Sequence, residues 1–277
     1  MTDLLRVCRL YYAVPMALAY TLTVCYALSG AMDGQWIGTI LSSSALALVI
    51  AAAYVLNDVC DRQVDRINAP SRPIAVGRLQ SKVAAMWGIG LLGAGLAVGT
   101  MCRGEFLVVL ALVAMGLVFY DLFSKRLGVG KQLLVAALMT SIYPLAFAQA
   151  GGATGNRAAA LAIFPVWMFL TSFGYEVLKD VRDVRGDRAA TGRPSWIQRD
   201  PRLGKQVSAA AIIAGAAALV GPYPAGCGWL YMSIAVVAMI AALAAAFQPT
   251  RRAMAFVYIE CVLVGVAATA DLIFLGN

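Results

Sequence analysis

Apolar runs about as long as a bilayer crossing recur along the whole chain. A transmembrane helix needs about 20 predominantly apolar residues, and only helices or closed barrels satisfy backbone polar groups within lipid. The unbroken length of these runs, with 61% hydrophobic residues overall, favours helices. We therefore predict an all-α, polytopic membrane helix bundle forming one domain over residues 1–277. The nine predicted spans are 11–30, 36–56, 83–101, 105–122, 132–150, 158–177, 206–222, 229–247 and 254–275.

The distribution of positive charge supports this topology. With nine spans, all but two of the 22 Lys and Arg residues lie on one side, and the exceptions are Arg103 and Arg157. Basic loops stay in the cytoplasm, so we expect an integral protein of the cytoplasmic membrane with a cytoplasmic N-terminus. The first apolar run is longer than a usual signal-peptide core, so we expect it to be retained. The net charge of +8 is then a topology signal, and no nucleic-acid partner is predicted.

Histidine and cysteine usage excludes several site classes. The chain has no histidine, which removes the commonest zinc ligand and the usual acid–base residue. Its six cysteines are scattered and form no CxxC pair. We read them as small apolar residues in or beside membrane helices.

Two acidic motifs repeat one pattern where an apolar run gives way to a basic loop. Residues 57–66 and 179–188 agree at five of ten positions, including three aspartates in each. The i, i+3, i+7 spacing places each trio within an arc of about 60° on one helix face. Mg²⁺ prefers hard oxygen ligands and helps hold substrate phosphates. We therefore predict two Mg²⁺ ions, one on each trio of catalytic, metal-binding residues: Asp58, Asp61 and Asp65, and Asp180, Asp183 and Asp187.

The placement of the motifs lets them converge. They lie 122 residues apart with four predicted spans between them, so both emerge on the same side, and the repeat indicates two pseudo-repeated halves. A charge facing hydrocarbon costs about 2.5–3.5 kcal/mol. We therefore expect the carboxylates to face a polar cavity, where like charges need a cation. The alternative is a solvated helix end paired with nearby arginines, which explains two matched trios poorly.

Basic and polar residues near the motifs suit a diphosphate. Arg offers bidentate hydrogen bonds to phosphate and Lys a compact charge, although any of these residues could serve topology alone. Tyr120 and Glu176 are candidates to face the acceptor or the cavity; Tyr120 could equally anchor the interface, and Glu176 could simply pair with Lys179. The candidate diphosphate-binding residues are Asn57, Arg66, Arg72, Lys125, Lys179 and Arg188.

At this point the chain resembles the UbiA-type intramembrane prenyltransferases. The segments Asn57–Asp65 with Ser71–Ile74, and Lys179–Asp187, resemble the two family signatures, and Tyr120 with Lys125 resembles the loop between them. Asp121 stands where serine is common. Within the family, Glu176–Asp180 and Asp183–Asp187 are most similar to the digeranylgeranylglyceryl phosphate synthase-like branch.

The resemblance implies Mg²⁺-assisted transfer of a prenyl group from an allylic prenyl diphosphate. The acceptor would be a lipid phosphate, a hydroxyl or an aromatic compound, in contact with membrane lipids. Three alternatives remain open. They are a membrane terpene cyclase, phosphoribosyl transfer to a lipid phosphate and, from a different class, a cation or phosphate transporter.

Overall fold

The computed structural model describes residues 2–124, 127–153, 157–190 and 195–274, and this part of the chain folds into helices joined by turns without any strand. The all-α prediction is confirmed. The helices are α1 Thr2–Val7, α2 Leu10–Ala27, α3 Trp36–Cys60, α4 Arg62–Asn68, α5 Ser81–Gly99, α6 Gly104–Phe123, α7 Gly130–Thr140, α8 Ile142–Ala150, α9 Ala158–Ala190, α10 Trp196–Arg199, α11 Pro201–Ala218, α12 Trp229–Phe247 and α13 Thr250–Phe274.

Eight helical stretches in the described ranges are long and apolar enough to cross a membrane, with α7 and α8 counted as one stretch. They coincide with eight of the nine predicted spans. The ninth predicted span, 206–222, corresponds to α11, which begins five residues earlier at Pro201. Asp200 caps α11 by accepting hydrogen bonds from the backbone of Arg202 and Leu203, so this helix starts in a polar turn that the hydropathy pattern alone does not mark.

Helix α9 is the longest element and the centre of the bundle. Its 33 residues span about 50 Å, well beyond the hydrocarbon core of about 30 Å. The predicted span ended at residue 177, but the helix continues to Ala190 and carries Asp180, Asp183 and Asp187 past the apolar segment. Because α9 packs against α4, α7, α11 and α13, it brings the second motif next to the first.

The first motif does not lie on one helix. Helix α3 ends at Cys60, Asp61 adopts φ −93° and ψ 8°, and α4 begins at Arg62. Backbone hydrogen bonds nevertheless continue from Asp61 to Asn57 and from Asp65 to Asp61. The prediction of a single helical face is therefore wrong for this trio: Asp58 and Asp65 lie on different helices that meet at Asp61. The second trio does share one helix.

The end of the bundle remote from the motifs is closed by a buried ion pair. Asp271 of α13 accepts hydrogen bonds from Arg157 Nε at 2.8 Å and from Tyr26 of α2 at 2.5 Å. Its other carboxylate oxygen accepts from the backbone N–H of Gly228 at 2.8 Å. Asp271 is fully buried and Arg157 nearly so. The contact therefore links α2, near the start of the chain, to α13, the last helix.

Candidate active site

Asp58 and Asp65 of the first motif are buried against two arginines. Arg9 donates a hydrogen bond to Asp58. Arg72 reaches both carboxylates, with Nη1 3.3 Å from Asp58 Oδ1 and 2.5 Å from Asp65 Oδ2. Burial raises the pKa of Asp65, and the neighbouring Arg72 guanidinium opposes that rise. The loop after α4 thus returns Arg72 to the carboxylates of the first motif.

Arg9 was not singled out by the sequence, where it counted only toward topology. It lies between α1 and α2, where its backbone has φ 46° and ψ 51°. This left-handed conformation is uncommon for residues other than glycine. Its guanidinium stacks 5.1 Å from the centre of the Tyr54 ring. Strained backbone of this kind is often found at functional sites, and here it directs Arg9 toward Asp58.

Asn57 connects the first motif to a further carboxylate. Its side-chain amide donates to Asp61 Oδ2 at 3.3 Å and to Asp121 Oδ1 at 3.1 Å. The second oxygen of Asp121 is buried and accepts no hydrogen bond from any described residue. A buried carboxylate oxygen without a donor is costly, so this corner of the site is suited to receive a cation.

The second motif is balanced by basic residues from α7 and α9. Lys131 donates to Asp180 Oδ1, and the side-chain amide of Gln132 donates to Asp180 Oδ2 at 2.6 Å. Glu176 accepts two hydrogen bonds from Lys179 at 2.9 and 3.0 Å. Both acids are buried. Lys131 and Gln132 were not singled out by the sequence, because they sit among other loop charges.

Tyr120 and Glu176, the candidate cavity residues, are in contact. The Tyr120 hydroxyl lies 3.4 Å from Glu176 Oε1, which also lies 3.8 Å from Lys131 Nζ. This contact joins α6 to α9 beside the second motif. The structure therefore places both residues in the site, with Glu176 engaged by two lysines rather than left open.

The two motifs meet through Asn68, the last residue of α4. Its amide donates to the Asp183 backbone carbonyl at 3.1 Å and to Asp187 Oδ1 at 3.4 Å. Burial raises the pKa of Asp187 to about 6; Lys131 opposes this rise, and the negative charges of Asp180, Asp183 and Asp61 add to it. The hydrogen bonds of Asn68 therefore bring the end of the first motif next to the second.

The remaining predicted basic residues differ in their surroundings. Arg66 and Arg188 are exposed and donate to backbone carbonyls, Arg66 to Ala75 at 3.4 Å and Arg188 to Gln198. Lys125 lies outside the described residues. Arg72 and Lys179 are therefore the predicted basic ligands of a diphosphate that the structure brings among the carboxylates, together with Asn57.

The donor set suits a hard cation, although no ready-made metal site is present. Within the described ranges, no group of three acidic or thiol side chains is arranged to hold a metal ion. The carboxylates instead pair with Arg9, Arg72 and Lys131. All the available ligands are carboxylate or amide oxygens, which Mg²⁺ prefers, and the unpaired Asp121 oxygen points to the same chemistry. We conclude that the residues fit Mg²⁺ once these ion pairs rearrange.

A cleft of about 460 Å³ lies beside the second motif, between α2, α9 and α13. Tyr11 and Tyr258, on its rim, are 64% and 45% exposed, so the cleft opens on the lateral surface of the bundle. Arg182, which pairs with Asp183 at 2.6 Å, also contacts the Met254 sulfur at 3.9 Å in the cleft wall. The lining residues are Tyr11, Tyr12, Tyr175, Met254, Ala255, Tyr258 and Ile259.

Comparison with known proteins identifies relatives over most of the chain. The family model of the UbiA prenyltransferase family matches residues 17–255. Digeranylgeranylglyceryl phosphate synthase of Methanoregula boonei is 33% identical over 214 residues, 75% of this chain and 74% of the relative. The synthase of Halobacterium salinarum is 33% identical over 225 residues, 79% of each chain.

Solved structures with the same fold cover nearly the whole chain. A digeranylgeranylglyceryl phosphate synthase structure superposes with a TM-score of 0.74 at 19% identity, covering 99% of this chain and 98% of that one. A UbiA homologue from Archaeoglobus fulgidus, bound to GPP and Mg²⁺, gives a TM-score of 0.67 at 14% identity and covers 98% and 99%. At these identities the likeness concerns the fold.

Proposed function

The chain belongs to the UbiA prenyltransferase family, and on that premise we propose that it is a Mg²⁺-dependent prenyltransferase acting at the cytoplasmic face of the cytoplasmic membrane. It moves a prenyl group from an allylic prenyl diphosphate to a lipophilic acceptor. The proposal rests on one observation. Asn68, at the end of the first motif, hydrogen-bonds Asp187 of the second motif, and basic side chains lie around both acidic rows.

Each acidic row would hold one of the two metal ions that bind the donor diphosphate. Asp58, Asp61 and Asp65 would hold one Mg²⁺ ion, and Asp180, Asp183 and Asp187 a second. Bound Mg²⁺ supplies positive charge to the diphosphate oxygens, which favours departure of the diphosphate. Asn57 contributes an amide to the first row, where it already contacts Asp61.

The basic side chains stabilise the negative charge that develops on the leaving group. Arg72 offers bidentate hydrogen bonds and Lys179 a compact charge, and we propose the same role for Lys125, which lies outside the described residues. Transfer breaks the bond between the allylic carbon and the diphosphate oxygen, which keeps the electron pair. The allylic carbon then bonds to the acceptor, which loses a proton. Charges placed in advance around the departing group are effective because they need no reorganisation during the reaction.

A lipid phosphate is the acceptor class that the surroundings favour. The tyrosine-lined cleft can take an apolar chain from the bilayer, and Arg182 places a guanidinium at its wall. Relatives that cover about three quarters of the chain are digeranylgeranylglyceryl phosphate synthases. We propose an acceptor that combines a phosphate head with an apolar chain.

The transporter alternative is disfavoured by the two acidic residues inside the last helix. Glu260 accepts hydrogen bonds from Trp167 at 2.8 Å and Thr171 at 3.4 Å. Asp271 is engaged by Arg157, Tyr26 and Gly228. A transport pathway needs ionisable groups exposed to a water-filled route, whereas both of these side chains are fully buried.

Release of pyrophosphate tests the proposal and separates the alternatives. The purified protein in detergent is assayed with allylic diphosphates of several chain lengths, with or without lipid-phosphate, hydroxyl and aromatic acceptors, in Mg²⁺ and then in EDTA. Mg²⁺-dependent release only with an acceptor supports the proposal. Release without an acceptor, with a hydrocarbon product, indicates a cyclase. Turnover of a phosphoribosyl donor indicates phosphoribosyl transfer, and no release with any donor would contradict enzymatic diphosphate chemistry.

A further inference from the structure

Arg9 and Lys131 have equivalent positions relative to the two acidic motifs. Arg9 donates to Asp58 and Lys131 to Asp180, and in both pairs the basic residue precedes the aspartate by 49 positions. Arg9 immediately precedes α2, and Lys131 is the second residue of α7. Arg9 and Lys131 are therefore separated by the same 122 residues that separate the two motifs. Each half of the chain supplies a cation to the first aspartate of its own motif.

In the second half, Lys131 and Gln132 occupy both carboxylate oxygens of Asp180, which a metal ion would need. Lys131 contacts Asp180 Oδ1, while Gln132 donates to Oδ2 at 2.6 Å. The Lys131 ammonium also lies 3.8 Å from Glu176 Oε1. The side chain of Asp180 is 11% exposed and that of Glu176 is 3% exposed. Lys179 already pairs with Glu176. A buried Asp180 without a counter-ion would be strongly destabilising, so Lys131 neutralises Asp180 when no metal is bound.

The two cations differ in freedom of movement. The Arg9 guanidinium is planar and rests over the Tyr54 ring, 5.1 Å from its centre, which fixes its orientation. Lys131 carries a compact charge on a flexible four-carbon stem, and its side chain remains 20% exposed. It can therefore leave Asp180 without a change in the backbone. An ammonium on Asp180 Oδ1 disfavours Mg²⁺ binding at the same oxygen, because the two cations repel each other.

We propose that Lys131 pairs with Asp180 when no metal is bound, and binds the donor diphosphate when a metal ion occupies the second row. Without metal, Lys131 neutralises Asp180, while Lys179 pairs with Glu176. When a divalent cation occupies the second row, the ammonium moves to the oxygens of the donor diphosphate and stabilises its departure. This inference rests on the proposed function and adds a residue that the motifs themselves do not contain.

Opposite changes in two affinities test the proposal. Mn²⁺ binding is measured by electron paramagnetic resonance without diphosphate, and inorganic pyrophosphate binding by calorimetry at saturating Mn²⁺. In Lys131→Met and Lys131→Gln we expect Mn²⁺ alone to bind at least threefold more tightly, because its competitor is gone. Pyrophosphate should bind at least tenfold more weakly. Lys131→Arg should recover most of the pyrophosphate affinity.

Matched variants keep the result interpretable. Lys82→Met removes an exposed lysine from the start of α5 and should alter neither affinity. The glutamine variant retains a hydrogen-bond donor for Asp180, so it guards against failure to fold. Unchanged pyrophosphate affinity in both neutral variants, or Mn²⁺ affinity that falls together with thermal stability, would overturn the proposal. If the wild-type protein bound no Mn²⁺ and pyrophosphate at all, the proposed function itself would fail.

Discussion

The side-chain amide of Asn68 lies 3.4 Å from the carboxylate of Asp187. This contact crosses from the helix that ends the first motif to the helix that carries the second. The same amide also binds the backbone carbonyl of Asp183 at 3.1 Å. An uncharged side chain therefore contributes directly to the contact between the two acidic rows.

We expect Asn68→Ala to lower turnover by up to about tenfold, because a net hydrogen-bond contribution is about 0.5–1.5 kcal/mol. The loss should appear mainly as weaker Mn²⁺ and pyrophosphate binding, measured by calorimetry. Gln63→Ala, an exposed polar residue of α4, is the matched control and should have little effect. Equal binding by Asn68→Ala and the wild type would show that the contact does not set the spacing.

Removing one carboxylate from either row should cost far more. Asp58→Asn and Asp180→Asn each lose a charge that the proposed metal site requires, and we expect turnover to fall by at least about 10²-fold, as for loss of a transition-state stabiliser. Pyrophosphate release at saturating donor measures the effect. Asp33→Asn, in the exposed turn before α3, is the control. Near-normal rates in both row variants would rule out a site shared by the two motifs.

Metal binding should depend on pH through Asp187. Burial raises the pKa of Asp187 to about 6 from its usual 3.8, so below pH 6 a proton competes with Mg²⁺ for this carboxylate. We expect the increase in melting temperature caused by Mg²⁺ to be full near pH 7.5 and to shrink as the pH falls through 6. An increase of the same size at pH 5 would contradict this assignment.

In the metal-free protein, the pH dependence of stability that comes from Asp187 should have the opposite sign. A carboxyl group whose pKa is raised on folding stabilises the fold when it is protonated. The contribution of Asp187 to stability is therefore present below about pH 4 and lost as the pH rises through 6. Thermal melts in EDTA, compared between the wild type and Asp187→Asn, isolate this contribution, because the variant should lack that part of the pH dependence.

The buried pair at the opposite end of the bundle should govern stability rather than chemistry. Removing one partner of a buried ion pair costs about 3–5 kcal/mol, so Arg157→Met or Asp271→Asn should lower the melting temperature in detergent substantially. The double variant Arg157→Met with Asp271→Leu should recover part of the loss. At low temperature, turnover per folded molecule should be retained. Loss of turnover in fully folded protein would show that this end of the bundle reaches the active site.

Close helix packing at Gly95 gives a second stability test. A Cβ atom there would lie 2.8 Å from Val49 Cγ2 and 3.0 Å from the Ala45 carbonyl oxygen, whereas a Cβ at Gly93 meets nothing within 4 Å. Overpacking costs about 1–3 kcal/mol, so Gly95→Ala should be destabilising. Gly93→Ala should be neutral or stabilising by about 0.5–1 kcal/mol. A similar melting temperature for both variants would show that α5 can shift away from α3.

The helical architecture could be predicted because lipid imposes it. Apolar runs of sufficient length must form helices, and the starts and ends of α2, α12 and α13 fall within four residues of the predicted spans. The C-terminal end of α9 could not be read in this way, although its start at Ala158 matches the predicted span. Its extension beyond residue 177 is polar, and hydropathy marks where a helix leaves the membrane rather than where it stops.

The composition of the site could be predicted only in part. The repeated aspartates, Arg72 and Lys179 were evident from spacing and position. Arg9 and Lys131 were hidden among topology charges, because the positive-inside pattern explains any single basic residue near a membrane end. Their shared separation of 49 residues from Asp58 and Asp180 was present in the sequence, but it acquires meaning only when the contacts are known.

The interruption at Asp61 divides the first acidic row between α3 and the short α4, whereas the second row lies along an unbroken helix. We therefore expect the second row to keep its shape when a ligand binds, and the first row to adjust where its two helices meet.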